Sequence, residues 1–196
     1  MEEKQCLTFA QSKKLIRKLL GDYRYEHSLN VAKEAVKLAR QYGADEEKAQ
    51  LAGVLHDIMK DTAKQEQLQI FQRFGIILTD LEKSAPKLWH AMAGAAYLEH
   101  ELGINDAQIL SAVRYHTTGR AEMSLLERIV FLSDFISADR EYDGVQRLRR
   151  LAYENMDKAI VEGLAFTIGE LTGEKLPVHP DTFAAYNDIV MQMKVK

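Results

Sequence analysis

Apolar residues recur at three- and four-residue spacing along almost the whole chain. This period places the apolar side chains on one face of a helix, so the pattern predicts amphipathic α-helices. Glycines stand where these segments should end, at Gly21, Gly43, Gly75, Gly103 and Gly173. Strand signals are nearly absent, the best candidate being the short stretch "GIILT" at residues 75–79. We therefore predict an all-α fold of about eight to ten helices.

Signals for helix starts agree with this division of the chain. Thr79 with Glu82, and Ser124 with Glu127, have the spacing of a capping box. Further starts are expected at Asp45, Asn105 and Pro180. With no internal repeat and no long linker, residues 1–196 are expected to form a single domain.

Composition and charge exclude several classes of function. Lys and Arg total 26 against 29 Asp and Glu, so the net charge of −3 predicts no nucleic-acid or membrane partner. The one cysteine, Cys6, allows no disulfide framework and no cysteine-rich zinc site. The first residues lack the apolar core of a signal peptide, and no apolar run is long enough to span a membrane. A cytoplasmic protein is expected.

Candidate chemistry lies where ionisable residues interrupt the apolar faces. The segment "LAGVLHDIMKD", residues 51–61, places a His-Asp pair at the end of an apolar helix. Four histidines and two aspartates are expected to point inward from five helices: His27, His56, Asp57, His90, His116 and Asp134. His100 and His179 have no such company and are expected on the surface or in loops.

Each inward histidine, taken alone, is more often a hydrogen-bonded core residue than a metal ligand. The group as a whole changes this interpretation, because burying several such groups is costly unless each is paired or bound to a metal. Imidazole and carboxylate are ordinary ligands of first-row divalent ions. Adjacent residues on a helix are about 100° apart, so a single helix face suits His56 and Asp57 poorly, whereas at a helix end both can reach one ion.

In the order His27, His56-Asp57, Asp134, the sequence resembles the HD-domain metal-dependent phosphohydrolases. The resemblance implies an all-α domain in which these four residues bind a divalent metal. His90 and His116 match the positions of extra histidines in many of these enzymes. There they would bind either a second metal or the substrate phosphates. Substrate contact is favoured and the second metal stays open.

A narrower resemblance rests on "RYEHSLNVA", "LAGVLHDIMKD", "WHAMAGA", "VRYHTTGR", "FLSDFISADR" and "HPDTFAAYN". Together these segments look like the YqeK family of bis(5'-nucleosyl)-tetraphosphatases, over about residue 23 to the C-terminus. The family implies symmetrical hydrolysis of diadenosine tetraphosphate into two ADP, with iron as the metal and manganese or cobalt as substitutes. Two other HD branches fit less well. Guanosine tetraphosphate hydrolases carry an acidic pair where this chain has Lys60-Asp61, and the Gly-Tyr-Pro signature of cyclic-di-GMP phosphodiesterases is absent.

The resemblance also implies roles for individual residues. Asp57 and Lys60 would be catalytic, and Lys60, Arg120 and Arg140 would stabilise charge on the phosphates, with Thr117 or Thr118 adding contacts. Each role has a plainer alternative: a solvated helix-end lysine, a surface salt bridge of Arg140 with Glu141 or Asp143, or helix capping by the threonines.

The segment "KLPVHPD", residues 175–181, is interpreted in two ways. Pro177, Val178 and His179 would form a rim that binds the nucleoside, or the segment is a stiff connection into the last helix. The metal-binding core is accordingly expected at about residues 23–140. Residues 141–196 would complete the fold and the rim.

Three alternatives to the tetraphosphatase hypothesis stay open: another HD phosphohydrolase or phosphodiesterase activity, a nucleotide sensor without turnover, and a structural adaptor with core histidines. The sequence determines neither the metal, nor the number of ions, nor the preferred base. A homodimer also stays open, because "AMAGAA" permits close packing within or between chains.

Overall fold

Helices account for nearly all regular structure in the computed structural model, which describes residues 7–195. Cys6 lies outside the described residues. No strand occurs among residues 7–195, which confirms the all-α fold. The described elements are α1 (Phe9–Leu19), α2 (Asp22–Tyr42), α3 (Glu46–Leu55), α4 (Lys64–Arg73), α5 (Asp80–Ser84), a 3-10 helix (Pro86–Leu88), α6 (Trp89–His100), α7 (Ala107–Tyr115), α8 (Leu125–Ile136), α9 (Val145–Glu154), α10 (Met156–Gly173) and α11 (Pro180–Val195).

The eleven α-helices of residues 7–195 slightly exceed the expected number. The additional element is α5, a helix of five residues that forms because Thr79 and Glu82 close the predicted capping box. The stretch "GIILT" is not a strand: residues 76–79 have no regular structure and pair with no other segment. Leu78 is buried and Ile77 is exposed, but no neighbouring strand is present for this stretch to pair with among residues 7–195.

Most predicted helix boundaries agree with the observed caps. Asp45 and Ser124 cap α3 and α8 through their side chains, and Gly43 ends α2 in the left-handed conformation. Two boundaries were wrong. The N-cap of α7 is Asp106, whose carboxylate accepts from two backbone N–H groups, and not Asn105. Gly173 lies inside the last turn of α10 and does not follow the helix.

The helices α2, α3, α7 and α8 pack together around the core. The backbones of α2 and α3 approach closely at Gly53, where an added Cβ would lie 2.9 Å from the Cα of Ala32. Because glycine lets the two backbones come this close, the His27 and His56 rings meet edge to face with centroids 5.3 Å apart. The packing of α2 on α3 thus positions two of the predicted metal ligands.

The C-terminal helices extend this core. The helices α9 and α10 pack against α8, and α11 packs against α10. Within residues 7–195, none of the helices combines the length and hydropathy that a membrane crossing requires. The division into a metal-binding core and a completing C-terminal part stays a prediction.

Candidate metal centre

The His-Asp pair lies in a turn directly after α3. His56 is the C-cap of the helix, and a series of turns continues through Asp61. His56 and Asp57 are both buried, as are the flanking Ile58 and Met59. The apolar neighbours anchor the turn in the core, so the two ionisable side chains keep a defined direction. This is the helix-end arrangement that the sequence predicted.

Two further helices bring His27 and Asp134 to the same point. The Nε2 atom of His27 on α2 lies 3.0 Å from Oδ1 of Asp134 on α8. Nδ1 of His27 is 2.7 Å from Oδ2 of Asp139, which follows α8. An imidazole that donates from Nδ1 to a carboxylate keeps Nε2 free to bind a metal, with the ring orientation set.

His56 and His116 are held in the same tautomer as His27. Nδ1 of His56 and Nδ1 of His116 lie 2.8 Å from the carbonyl oxygens of Gly53 and Val113, respectively. Each carbonyl accepts a hydrogen bond from the Nδ1–H group, so each Nε2 carries a lone pair that faces the centre. Burial lowers the pKa of His56 to about 3, which keeps this ring neutral at physiological pH.

Three buried ligand atoms at the centre make no well-aligned hydrogen bond, although two of them lie 3.0 or 3.1 Å from another ligand atom (Asp134 Oδ1 and His90 Nε2): His27 Nε2, His56 Nε2 and Asp57 Oδ1. An unsatisfied buried polar atom costs roughly 1–3 kcal/mol, so three in one place require an explanation. His27, His56 and Asp134 can converge on one ion, because their ligand atoms all lie within 4.8 Å of one another. Two imidazole nitrogens and one carboxylate are suitable ligands for a divalent first-row metal, so the residues present fit such an ion.

A second group of ligand atoms surrounds Asp57 Oδ1. The Nε2 atoms of His90 and His116 lie 3.1 and 3.4 Å from this oxygen, and 3.2 Å from each other. Ligands about 2.1 Å from a shared ion would be separated by roughly 3.0–3.4 Å, as these atoms are. His56, Asp57 and His116 also meet the spacing for a common ion. The arrangement therefore has room for a second ion that shares Asp57, and it equally allows phosphate contacts by His90 and His116.

Electrostatics favour the charged form of both central carboxylates. Burial raises the pKa of Asp57, but the three neighbouring histidines and Lys60 outweigh it and hold the pKa well below the usual value. Burial also raises the pKa of Asp134, but His27, His56 and Arg140 outweigh it and hold the pKa well below the usual value. Both groups are therefore anionic and ready to bind a cation.

Three cationic side chains reach the centre from different elements. The Lys60 Nζ atom lies 3.1 Å from His90 Nε2 and 3.7 Å from Asp57 Oδ1. Arg140 donates to both the carboxylate and the backbone carbonyl of Asp134, rather than to Glu141 or Asp143. Arg24 Nη1 donates to Asp57 Oδ2 over 3.2 Å. About a quarter of each side chain is exposed, so all three reach from the buried centre to solvent.

The predicted phosphate and rim residues divide into two groups. Arg120 forms a bidentate ion pair with buried Glu127, donating from Nε to Oε1 over 2.6 Å and from Nη2 to Oε2 over 2.9 Å. Its predicted phosphate contact stays a prediction. Four others line a cavity of about 310 Å³ together with residues of the α5–α6 connection and α10: Thr117, Thr118, Pro177 and His179. Val178 does not line this cavity.

The cavity is lined by close sequence neighbours of His90 and His116, although not by these histidines themselves. Thr117 and Thr118 follow His116 directly, and the cavity residue Leu88 precedes His90 by two positions. The Thr117 hydroxyl is buried without a partner, whereas Thr118 donates to the carbonyl of Gly119. His179 lies in the loop before α11, 3.6 Å from Glu82 and mostly buried. His100 is exposed and stacks on Phe74.

Sequence reasoning missed two residues that contact the centre. Arg24 precedes His27 by three positions on a helix, a spacing that places both on one face and could have drawn attention to it. Asp139 lies inside the quoted segment "FLSDFISADR", but no local pattern connects it with His27, which is 112 residues away. Asn30 also donates to Asp139, over 3.2 Å.

Comparisons with known proteins identify the family of the chain. The HD domain family matches residues 24–139. A symmetrical bis(5'-nucleosyl)-tetraphosphatase of Halalkalibacterium halodurans is 39% identical over 92% of this chain and 96% of its own length. The corresponding protein of Bacillus subtilis is 38% identical over 89% of this chain and 94% of its own length.

A solved structure shows the same fold. It is a predicted HD superfamily hydrolase involved in NAD metabolism, from Clostridium acetobutylicum. It is 34% identical, covers 96% of this chain and all of its own length, and superposes with a TM-score of 0.92. With family match, fold and relatives in agreement, the chain belongs to the HD-domain hydrolases and, within them, to the family of symmetrical bis(5'-nucleosyl)-tetraphosphatases.

Proposed function

We propose that this protein is a metal-dependent hydrolase that cleaves diadenosine tetraphosphate symmetrically into two ADP. The observation that carries the proposal is the buried centre with three unpaired ligand atoms. It occurs in a chain that is 38–39% identical, over most of its length, to proteins named for this reaction. Neither a sensor without turnover nor a structural adaptor accounts for both facts.

The proposed ligands are His27, His56, Asp57 and Asp134, with Asp57 shared if a second ion is held by His90 and His116. When bound, a divalent ion supplies Lewis acidity that lowers the pKa of water and polarises a phosphoryl oxygen. The protein's own part is to keep Nε2 of His56 deprotonated by burial and to hold both carboxylates ionised. Iron is proposed as the ion, and manganese or cobalt as substitutes.

The reaction itself requires little covalent chemistry from the protein. The oxygen of a water bonds to one of the two central phosphorus atoms, and the P–O bond that joins this atom to the central bridging oxygen breaks. The bridging oxygen leaves with the second ADP, and the proton from the attacking water is released to solvent. Since ADP is a good leaving group, positioning and charge stabilisation carry most of the catalysis.

Lys60 and Arg140 are proposed to stabilise the charge that develops on the phosphates. Burial, with Arg24 and Arg140, lowers the pKa of Lys60 below its ordinary value, although the carboxylates of Asp57 and Asp134 act in the opposite direction. Burial likewise lowers the pKa of Arg140, whereas Asp134, with smaller contributions from the Tyr23 phenol and Asp139, raises it above the ordinary value. Lys60 lies beside the Asp57 carboxylate and Arg140 beside that of Asp134, which places both side chains next to the proposed metal ligands.

One nucleoside is proposed to bind in the cavity beside His116. Its volume of about 310 Å³ is at the lower end of ligand cavities, roughly 300–1,000 Å³, and suits one nucleoside rather than two. Pro177 and Leu176 offer apolar surface for a base, and the unpaired Thr117 hydroxyl offers a hydrogen bond. This adopts the rim hypothesis for Pro177 and His179. The cytoplasmic location stays a prediction.

Product analysis tests the proposal directly. The purified protein is incubated with diadenosine tetraphosphate and ferrous, manganous or cobalt ion, and the nucleotides are separated by anion exchange. ADP as the sole product, lost on addition of a chelator, is expected. AMP together with ATP would contradict the symmetrical cut. Turnover of another nucleotide alone, such as NAD or a cyclic dinucleotide, would favour a different HD activity.

Substitution of Asp57 tests the site. Asp57→Asn should reduce turnover by about 100-fold or more, because loss of a ligand exceeds the 10- to 100-fold cost of losing an outer partner. Asp61→Asn is the matched control in the same turn: its carboxylate accepts from the backbone N–H of Gly21 and is exposed. Unchanged activity of Asp57→Asn, with circular dichroism showing the native fold for both variants, would contradict the assignment.

A further inference from the structure

The proposed substrate carries two nucleosides, but the cavity beside His116 has room for one. A central cut also requires that the tetraphosphate cross the metal centre, with two phosphates on either side. The second nucleoside diphosphate must therefore leave the centre on a side other than that of the cavity. The described residues show where such a path begins.

The side of the centre next to His27 presents a cation and an aromatic ring. Arg24 Nη1 donates to Asp57 Oδ2, and its guanidinium lies 5.4 Å from the centre of the Tyr23 ring. The Tyr23 ring is nearly parallel to that of His27, at 9° and with centroids 6.3 Å apart. Tyr23 is 59% exposed, the largest exposure of any aromatic residue among residues 7–195.

Tyr23 contacts His27 and Arg24 contacts Asp57, so both residues lie directly beside the buried centre. The Tyr23 side chain is at the same time exposed to solvent. The Tyr23 phenol also lies within electrostatic range of Arg140. An exposed tyrosine beside two arginines offers what a nucleoside diphosphate needs: donors for phosphate oxygens and a flat surface for a base.

We propose that Tyr23 and Arg24 form a second nucleotide subsite, in which Arg24 binds phosphate and Tyr23 stacks on the base of the second nucleoside. The inference rests on the proposed function, because only a substrate with two nucleosides fills both sides. The site is then asymmetric although the substrate is symmetric: one nucleoside enters the cavity, and the other lies on an open surface.

The test compares two substrates that differ only in the second nucleoside. Diadenosine tetraphosphate fills both subsites, whereas adenosine 5'-tetraphosphate has one nucleoside and leaves the Tyr23 surface without a base. Base stacking on an aromatic side chain contributes enough for Tyr23→Ala to lower kcat/KM for diadenosine tetraphosphate by about 5- to 150-fold. For adenosine 5'-tetraphosphate the change should stay below about twofold. Tyr23→Phe should retain most of the activity on both substrates.

Arg24→Ala should lower kcat/KM for both substrates, because both place phosphates on this side. Arg40→Ala is the matched control on the same helix, where Arg40 pairs with exposed Glu46, and it should leave both rates unchanged. Equal losses for both substrates in Tyr23→Ala, or no loss for either, would overturn the second subsite alone. If the unsubstituted protein turned over neither substrate, the proposed function would fail and this inference with it.

Discussion

At the scale of single residues, the centre depends on ring orientation as much as on ligand identity. Three histidines direct Nε2 inward because Nδ1 is held by another group, and for His27 that group is the Asp139 carboxylate. A backbone carbonyl cannot be removed by mutation, whereas a carboxylate can. Asp139 is therefore the outer partner whose contribution can be measured.

Asp139→Asn should weaken metal binding by about 10- to 100-fold, because the amide is a poorer acceptor for the His27 N–H. Competition with a fluorescent chelator measures this affinity without any substrate. Asp143→Asn, four residues away in the same loop, is the control and should bind metal normally. Equal affinities in the Asp139 variant and the unsubstituted protein would show that Asp139 has no orienting role.

At the scale of helices, the contact between α2 and α3 determines where the ligands meet. Gly53 lies at a close approach of the two backbones, and its carbonyl accepts a hydrogen bond from the His56 Nδ1–H group. The amphipathic pattern predicted both helices, but a glycine in the middle of a helix does not indicate which residue packs against it. Only the packed structure shows that Ala32 faces it.

Gly53→Ala should lower the free energy of unfolding by about 1–3 kcal/mol, since the new Cβ would meet the Ala32 backbone, which cannot move cheaply. Gly169→Ala is the matched control in α10, where a Cβ meets nothing within 4 Å. It should raise stability by roughly 0.5–1 kcal/mol, because alanine favours a helix. Urea denaturation measures both. The same sign of change for both variants would contradict the close-packing argument.

At the scale of the whole molecule, several carboxylates are held ionised away from the metal centre. Burial raises the pKa of Glu127, but Arg120, Ser111 and Ser124 outweigh it and lower the pKa below 4.5. A pKa that is lower in the folded than in the unfolded state contributes stability above the unfolded value. That contribution is lost as pH falls through the folded value.

The free energy of unfolding of the metal-free protein should therefore decrease as pH falls below about 4.5, and Glu127→Gln should reduce this dependence. Urea titrations between pH 3 and 7 in the presence of a chelator provide the measurement, with the exposed Glu154→Gln as control. An unchanged pH dependence in Glu127→Gln would show that its network contributes nothing to acid stability.

The sequence by itself determined the helical class, most helix boundaries and the identity of the inward histidines and aspartates. These depend on local properties: the 3.6-residue period, the capping residues and the chemistry of the side chains. The quoted motifs also determined the family, which the comparisons confirm.

Only the tertiary structure decided which of these groups meet. Arg24 reaches Asp57 across 33 residues, Asp139 reaches His27 across 112, and Arg120 turns to Glu127. Such contacts depend on how helices distant along the chain pack, for which a single sequence carries no local signal. The pattern of apolar positions directed the ionisable residues inward, and the packing of α2, α3, α7 and α8 brought them to one point.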